Sequence, residues 1–336
     1  MGTRCASGFS LLEMLLVLFL IGLMASAGLM LTEGVEDQAK YDETKRRMEL
    51  MRRAIVGDPA RTVNGGPEIS GFVADMGRLP GCLAELLETG AEETPATDPR
   101  TFESPCDNTV TLTEWHIDAN TGIASGWRGP YLQVMPDRDG ARRFRDGYGN
   151  DDNSKNFGWN YSAVDSVVRV QSAGVNGIFD GAVYVDDYPA GATLSVVPAL
   201  VNERDYLVDL QGWRGRILFR NTNTASALPN GSAVQLKLRL HYLDETGNAQ
   251  STDSDNFELA SGAVPKNDSR YFDEITFPDS APTIPWGVRS VQVLCNDIDE
   301  HVFDGNCDAE FENTFRTLAL LPYIQPTTFH FIWDIQ

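Results

Sequence analysis

Glu13 is the residue whose surroundings in the sequence predict a chemical role. It stands at the start of an apolar run, because residues 14–31 carry no formal charge. An ionised carboxylate in an apolar environment costs at least about 2.5 kcal/mol, even on the lenient scale for insertion into a membrane. Glu13 therefore needs a cation, and ion pairing is the chemistry that this position predicts.

The apolar run must form an element that holds this carboxylate. A helix over residues 14–31 would be about 27 Å long at 1.5 Å per residue, close to the roughly 30 Å hydrocarbon core of a bilayer. The run therefore predicts a transmembrane helix.

The residues around Glu13 form a recognisable motif. A short leader containing Arg4, the hexapeptide Gly-Phe-Ser-Leu-Leu-Glu at 8–13 and the long apolar run resemble the prepilin segment of type IV pilins and type II secretion pseudopilins. The resemblance implies that a prepilin peptidase cuts between Gly8 and Phe9 and methylates the new amino group of Phe9. It also implies that Glu13 pairs with this amine in a neighbouring subunit, which would select the register between bundled helices.

The resemblance also implies partners and a location. The partners are other pilin or pseudopilin subunits, which bind through the N-terminal helix, the prepilin peptidase/methyltransferase and the inner membrane. The location is the bacterial inner membrane, with a single span and the head in the periplasm or on an extracellular filament. The implied function is that of a minor pilin or pseudopilin subunit of a type IV pilus or a type II secretion pseudopilus.

Two other interpretations of the N-terminus remain open. Ala25-Ser26-Ala27 is an A-x-A site after an apolar core, so a signal peptide cleaved after Ala27 would leave a periplasmic or secreted binding protein. Against this, Glu13 would interrupt the apolar core, and apolar residues continue to Leu31. A plain signal anchor with Glu13 at the membrane interface leaves the Gly-Phe-Ser unexplained.

The net charge indicates which class of partner this chain is not expected to bind. The chain has 336 residues and a formal charge of −21, and the residues after the N-terminal helix account for it. Nucleic-acid binding needs a basic footprint, so no nucleic-acid partner is predicted. Simple solubility of the head explains the acidic surface.

Four of the five cysteines lie in the head, and Cys5 lies in the predicted leader. Local pairing of Cys82 with Cys106 and of Cys295 with Cys307 is the simplest of three connectivities. Disulfides would place the head in an oxidising compartment such as the periplasm. A zinc site fits poorly, because the pairs are widely spaced and no histidine lies close to the first pair.

The chain beyond the apolar run divides into further segments. Helical periodicity of apolar residues continues over 32–57 and ends at the Gly-Asp-Pro of 57–59, so one helix is predicted to leave the membrane and dock on the head. With the leader at 1–8 and the membrane or filament-core helix at 9–31, the remaining predicted domains are a pilin-like αβ head at 58–190 and a β-sandwich-like domain at 191–336.

Alternation of apolar and polar residues marks the C-terminal region as a set of strands. The clearest run is Val234 to Tyr242, which has period two over nine residues. Other strands are predicted at 193–197, 216–220, 289–294 and 328–333. The predicted fold class is therefore α+β, with a long N-terminal pilin helix packed on a small antiparallel sheet and a C-terminal antiparallel β-sandwich-like domain.

Two turns in the head resemble those of pseudopilin heads. They are the Asp-Gly-Tyr-Gly-Asn of 146–150 and the Ser-Ala-Gly-Val-Asn-Gly of 172–177, with a strand at 167–170 between them. In major pseudopilins loops of this region bind calcium. Hard cations need six to eight converging oxygens, which nearby carboxylates and amides provide. Calcium is therefore a candidate cofactor, and solvated turn residues are the alternative. The candidate ligands are Asp137, Asp139, Asp146, Asn150, Asp151 and Asp152.

The sequence predicts no enzyme. The four histidines are isolated from one another, and no nucleophile elbow, phosphate-binding loop or dinucleotide fingerprint is present. Paired carboxylates carry no weight as catalytic evidence in so acidic a chain.

Overall fold

The computed structural model describes residues 10–58, 60–63, 66–93, 97–181, 186–297, 300–307, 314–321 and 329–336. Within these ranges the backbone alone is described at 27–33, 66–67 and 274. Gly8 and Phe9, which flank the predicted cleavage site, lie outside the described residues.

The described residues form two α-helices, three short 3₁₀ turns and many short strands. The helices are α1 (Leu11–Val56) and α2 (Phe72–Met76), and the 3₁₀ turns are Leu83–Leu86, Leu194–Val196 and Glu203–Asp205. The strands of the N-terminal half are β1 (Thr62–Val63), β2 (Gly66–Pro67), β3 (Thr101–Glu103), β4 (Thr111–Thr113), β5 (His116–Ile117), β6 (Ala124–Ser125), β7 (Trp159–Val164) and β8 (Val167–Ser172). Those of the C-terminal half are β9 (Leu207–Asp209), β10 (Arg214–Asn221), β11 (Val234–Leu243), β12 (Ala249–Asp253), β13 (Phe257–Leu259), β14 (Ser269–Thr276), β15 (Thr283–Pro285), β16 (Gly287–Cys295), β17 (Arg316–Leu320) and β18 (Phe329–Ile335).

Helix α1 begins and ends where its sequence favours it. Ser10 is the N-cap and forms a capping box with Glu13, in which each side chain bonds the backbone of the other residue. Gly57 follows the last turn with φ of 72°, a conformation that side chains other than glycine rarely adopt. The predicted end of the helix is confirmed.

The prediction of a single-pass inner-membrane protein is wrong. Within the described residues, no helix combines the length and the apolar character that crossing a membrane requires. The apolar part of α1 with described side chains, residues 11–26, is about 24 Å long and includes Glu13, whereas the hydrocarbon core of a bilayer is about 30 Å thick.

The C-terminal half of α1 carries the buried stripe that its periodicity predicts. Thr44, Met48, Met51 and Ile55 are buried at steps of three and four. Val35, which the same periodicity includes, is 71% exposed. The helix therefore leaves the head between Val35 and Thr44, and only its C-terminal part packs against it.

The predicted fold class is also wrong. Among the described residues, more lie in strands than in helices, and the sheets are mostly antiparallel. The element that α1 contacts most is the short helix α2, and no small antiparallel sheet carries it in the described part of the chain. The physical reason is that the buried stripe of α1 meets α2 and the loops, while the sheets pack mainly on one another.

The C-terminal half contains the two-stranded pair of β9 with β15 and two larger sheets. One has the strand order β14-β10-β18, with β10 and β18 parallel, and the other has the order β12-β11-β16-β17 with β13 also paired to β11. Ile217 and Phe219 of the first sheet and Leu238 and Val293 of the second are fully buried in one hydrophobic cluster. The alternation that predicted β11 reflects this burial, because every second residue of the strand faces the shared core.

The strand predictions at 216–220, 289–294 and 328–333 are confirmed by β10, β16 and β18, except that Thr328 lies outside the described residues. The predicted strand at 193–197 is wrong, since Leu194–Val196 forms a 3₁₀ turn. This segment does not join a sheet, and Val196 is 66% exposed. Alternation over only a few residues does not distinguish a strand from an exposed turn.

Both local disulfides are confirmed. Cys82 pairs with Cys106 at a Cα–Cα distance of 5.6 Å, and Cys295 pairs with Cys307 at 5.8 Å. Each bond closes a short segment of the chain, across 24 and 12 residues. The loops they close are thereby restrained at both ends.

Candidate functional site

The N-terminal half of α1 exposes a continuous apolar surface. We refer to residues 11–24 as the exposed apolar segment. Its large side chains are all between 45% and 85% exposed: Leu11, Leu12, Met14, Leu15, Leu16, Val17, Leu18, Phe19, Leu20, Ile21, Leu23 and Met24. Soluble monomers rarely expose apolar patches of this extent, and larger ones mark interaction sites. The segment is therefore the part of the described chain that most needs a partner.

Glu13 lies at the N-terminal end of this segment and has a local role. Its Oε2 accepts a hydrogen bond from the amide of Ser10 at 3.0 Å, and its own amide donates to Ser10 Oγ at 3.3 Å. A carboxylate has about four lone-pair sites, so this bond leaves capacity for an ammonium donor. Local capping and the predicted pairing between subunits are therefore compatible.

The other half of α1 is held by the turn at 146–150. The amide of Gly147 donates to Thr44 Oγ1 at 3.0 Å, and Thr44 Oγ1 donates to the carbonyl of Lys40 at 2.9 Å. A Cβ added to Gly147 would lie 2.1 Å from that carbonyl oxygen. Arg47 also donates to the carbonyl of Arg145 at 2.6 Å. The turn thus contacts the helix backbone so closely that only glycine fits.

Asp146 organises this turn. It is buried, and its carboxylate accepts from Ser172 Oγ at 2.5 Å, from Asn150 Nδ2 at 2.7 Å and from the amides of Asn150 and Tyr148 at 2.9 and 3.1 Å. Asn150 also donates to the carbonyl of Gly174 at 2.8 Å. The two turns that the sequence analysis singled out, 146–150 and 172–177, are therefore in direct contact. Their contact is what positions Gly147 against α1.

Three of the predicted calcium ligands are paired with arginines. Arg143 contacts Asp137 at 2.8 Å and Asp139 at 2.7 Å, and Arg145 contacts Asp137 and Asp151 at 2.8 Å. The bond from Arg145, followed by that from Arg143, holds the pKa of Asp137 below its usual range. Arg143 lowers the pKa of Asp139 to about 2.

The remaining predicted ligands are bonded to the chain itself. Asp152 accepts from the amides of Ser154 and Gly158, both at 2.9 Å, while Asp146 and Asn150 bond to each other. Among the residues that the structure describes, no group of three or more His, Cys, Asp or Glu residues is arranged to hold a metal ion. The calcium site stays a prediction, and these contacts do not support it.

Asp187 is an acid that the sequence analysis did not select. Its side chain is buried, and Oδ2 accepts from the amides of Asp180 and Gly181 at 3.1 and 2.5 Å. Burial raises the pKa of its carboxyl. Within the described part of the chain, Oδ1 has no hydrogen-bond partner. Nothing in the sequence marks Asp187 as buried, because adjacent acidic residues such as those at 186–187 are common in acidic loops.

A second buried acid lies where the head meets the C-terminal sheets. Asp75 of α2 pairs with Arg128 at 2.9 Å and accepts from Tyr131 Oη at 3.1 Å. Burial raises the pKa of its carboxyl to about 6, although Arg128 opposes the change. The sequence analysis did not predict that Asp75 is buried, because a single acidic residue in a short helix is expected at the surface.

Arg289 of β16 lies beside this acid and is fully buried. Its guanidinium donates to the carbonyls of Pro285 and Trp286 at 2.9 and 2.8 Å and to that of Ala74 in α2 at 3.5 Å. Burial lowers its pKa to about 10. The bond to Ala74 joins α2 of the head to β16 of the C-terminal sheets, and the other two hold the chain just before β16.

His241 of β11 has structural contacts. His241 bonds Gln292 at 2.9 Å and packs edge-on against Phe315. Burial lowers the pKa of its imidazole.

Comparisons with protein-family models, with curated proteins and with solved structures found no match.

Proposed function

We propose that this chain is a pilin-like assembly subunit, a minor pilin or pseudopilin with an enlarged head. It is processed between Gly8 and Phe9 and joins a type IV pilus or a type II secretion pseudopilus through α1. The observation that carries the proposal is the exposed apolar segment, which continues without a break into a helix half held firmly by the head. Such a helix presents a large apolar surface in a fixed direction.

The charge on Glu13 gives this surface its register. An apolar helix alone can slide along a neighbouring helix with little change in energy, whereas one carboxylate must meet one cation. The amine created at Phe9 lies four residues before Glu13 in the sequence, so an axial offset between subunits brings one subunit's amine to the next subunit's carboxylate. Pairing of this kind supports ordered assembly rather than nonspecific association.

The extent of helix α1 is also relevant to the alternative interpretation, a signal peptide cleaved after Ala27. Helix α1 runs from Leu11 to Val56 through this position. Cleavage there would cut a continuous helix and leave its C-terminal half without a capped start. The structure therefore offers no end of an element at Ala27.

Substitution of Glu13 tests the proposal. Glu13→Gln removes the charge but keeps a side chain that can complete the capping box, and Glu13→Ala removes both. We expect both variants to accumulate in cells at the level of the parent and to be incorporated into filaments at least tenfold less well, measured by quantitative immunoblotting of sheared filaments.

Ser10→Ala is the matched control, because it removes the reciprocal cap at a cost of about 1 kcal/mol and leaves the charge of Glu13. We expect its incorporation to stay within about twofold of the parent. Equal incorporation of Glu13→Gln and the parent would refute the pairing.

A further inference from the structure

Three Asn-Gly pairs occur in this chain, at 64–65, 176–177 and 230–231, and the first lies outside the described residues. In such a pair the glycine amide nitrogen can attack the carbonyl carbon of the asparagine side chain, because glycine has no side chain to hinder the approach. All four residues of the two described pairs are exposed. Exposure therefore does not distinguish these pairs, whereas their hydrogen bonds do.

The reacting groups of the Asn230-Gly231 pair are unrestrained. The backbone amide of Asn230 donates to Asn306 Oδ1 at 3.1 Å, but in the described part of the chain its side chain makes no hydrogen bond. Within the same residues, the backbone amide of Gly231 donates to no acceptor. A Cβ built on Gly231 would have no atom within 4 Å, so there is open space beside this glycine.

The Asn176-Gly177 pair is held at both reacting groups. The amide of Gly177 donates to the carbonyl of Ala173 at 3.0 Å. The Oδ1 of Asn176 accepts from the amide of Ile178 at 2.9 Å, and its Nδ2 donates to Asp180 at 3.3 Å. Attack by the Gly177 nitrogen therefore requires this segment to open first.

We propose that Asn230 is a modification site, at which the folded chain deamidates spontaneously, and that the fold protects Asn176 from the same reaction. The Gly231 nitrogen forms a bond to Asn230 Cγ, the bond from Cγ to Nδ2 breaks, and Nδ2 leaves as ammonia with the proton of the Gly231 amide. One water then opens the cyclic imide, at the side-chain carbonyl to give aspartate or at the main-chain carbonyl to give isoaspartate. The net reaction consumes one water, releases one ammonia and involves no oxidation.

The modification changes a loop that contacts the segment closed by the second disulfide. Asn306 of that segment accepts from the amide of Asn230, and the carbonyl of Gly231 accepts from Ser261 Oγ at 3.0 Å. Either product adds a negative charge at position 230. Isoaspartate also adds a methylene to the main chain, which shifts these groups relative to their partners. The inference uses only the C-terminal half and does not rest on the proposed function.

Incubation of the full-length protein in H₂¹⁸O tests the proposal, because hydrolysis of the imide introduces ¹⁸O only at residues that deamidate during the incubation. Mass spectrometry of peptides measures aspartate and isoaspartate at positions 176 and 230. In the folded protein, we expect the products at 230 to form at least about tenfold faster than those at 176, where reaction requires local opening. After reduction and unfolding in urea, we expect the two rates to agree within about threefold, because the native contacts are lost.

Gly231→Ala tests the reacting pair itself. Its added methyl hinders the attack, and we expect the products at 230 to form at least about fivefold more slowly. Gly212→Ala is the matched control, because Gly212 also has a positive φ and no atom within 4 Å of an added Cβ. We expect its rate at 230 to stay within about twofold of the parent, since the two substitutions impose similar backbone strain.

Four results would overturn the proposal. They are absence of product at 230, equal rates at 176 and 230 in the folded protein, a tenfold preference for 230 that persists after unfolding, and an unchanged rate at 230 in Gly231→Ala.

Discussion

Single residues decide how this protein responds to pH, and Asp75 is the clearest case. Asp75 is 4% exposed, and its carboxyl lies among Arg128, Tyr131 and Arg289. Burial removes more stabilisation from the charged form than the arginines return, so the pKa rises from 3.8 to about 6. A folded pKa above the unfolded value means that the folded protein binds the proton more tightly. The stabilisation is therefore present in full below about pH 4 and is lost as pH rises through about 6.

Asp75→Asn should remove this pH dependence. A change of about two pKa units corresponds to about 3 kcal/mol. We expect the parent to gain up to about 3 kcal/mol relative to Asp75→Asn on acidification from pH 7 to pH 4, measured by urea denaturation at several pH values. Asp139→Asn is the control of opposite sign, because the pKa of Asp139 is lowered to about 2. A constant difference between the parent and Asp75→Asn across this range would contradict the account.

At this scale the sequence predicted the covalent pairs better than the buried charges. Cys82 with Cys106 and Cys295 with Cys307 could be paired by proximity alone. The burial of Asp75 could not be predicted, since no residue near it in the sequence shows that β16 covers it. The predicted ligands Asp137 and Asp139 were chosen as acids without regard to Arg143, which the fold brings to them.

Among the elements, α1 depends on the turn at 146–150. Thr44 and Lys40 are contacted by the backbone of Gly147, and Asp146 holds the turn through Ser172 of β8. The exposed apolar segment therefore gains its direction from bonds that lie far along the chain from it.

Gly147→Ala should loosen α1 from the head. The added methyl would lie 2.1 Å from the carbonyl oxygen of Lys40, so the turn or the helix must move, at a cost of about 2 kcal/mol or more. Gly149→Ala is the matched control. It has no atom within 4 Å of the added methyl, although its φ of 82° costs about 1 kcal/mol.

Hydrogen exchange reports the difference between these variants. We expect amides of residues 37–47 to exchange at least tenfold faster in Gly147→Ala than in Gly149→Ala. Equal protection in the two variants would show that the turn does not hold the helix.

Long periodic elements were predictable, and short ones were not. The end of α1 at Gly57 and the alternation of β11 follow from local chemistry and from a pattern sustained over many residues. The segment Leu194–Val196 has too few residues for its alternation to carry information. The prediction that α1 packs on a small antiparallel sheet was wrong. A buried stripe of residues shows that a helix is covered, but it does not show which element covers it.

The whole molecule is organised around one hydrophobic cluster rather than around the helix. The cluster extends from Met51 of α1 through Phe72 of α2 to Val293 of β16 and thus crosses the predicted domain boundary between 190 and 191. That boundary stays a prediction. The fold class was mistaken because the N-terminal motif, which resembles pilins, was extended to regions where the sequence has only short strands.

Arg289→Met tests how much the buried guanidinium between α2 and β16 contributes to stability. The variant keeps much of the side-chain volume but leaves the carbonyls of Pro285 and Trp286 without their donor, so we expect a loss of about 3 kcal/mol in the free energy of unfolding. Arg220→Ala is the control. Its side chain is 54% exposed beside Asp334, and we expect a change within about 1 kcal/mol.

Urea denaturation followed by near-ultraviolet circular dichroism measures both variants. Equal small losses of unfolding free energy in the two variants would show that the buried guanidinium contributes no more to stability than a surface ion pair.

The mature N-terminus, determined by mass spectrometry of the protein isolated from cells, tests the central proposal most directly. We expect the chain to begin at Phe9 with a methylated amino group, because that amine is the proposed partner of Glu13. A chain that begins at Gly28, or that keeps residues 1–8, would contradict the assignment as an assembly subunit.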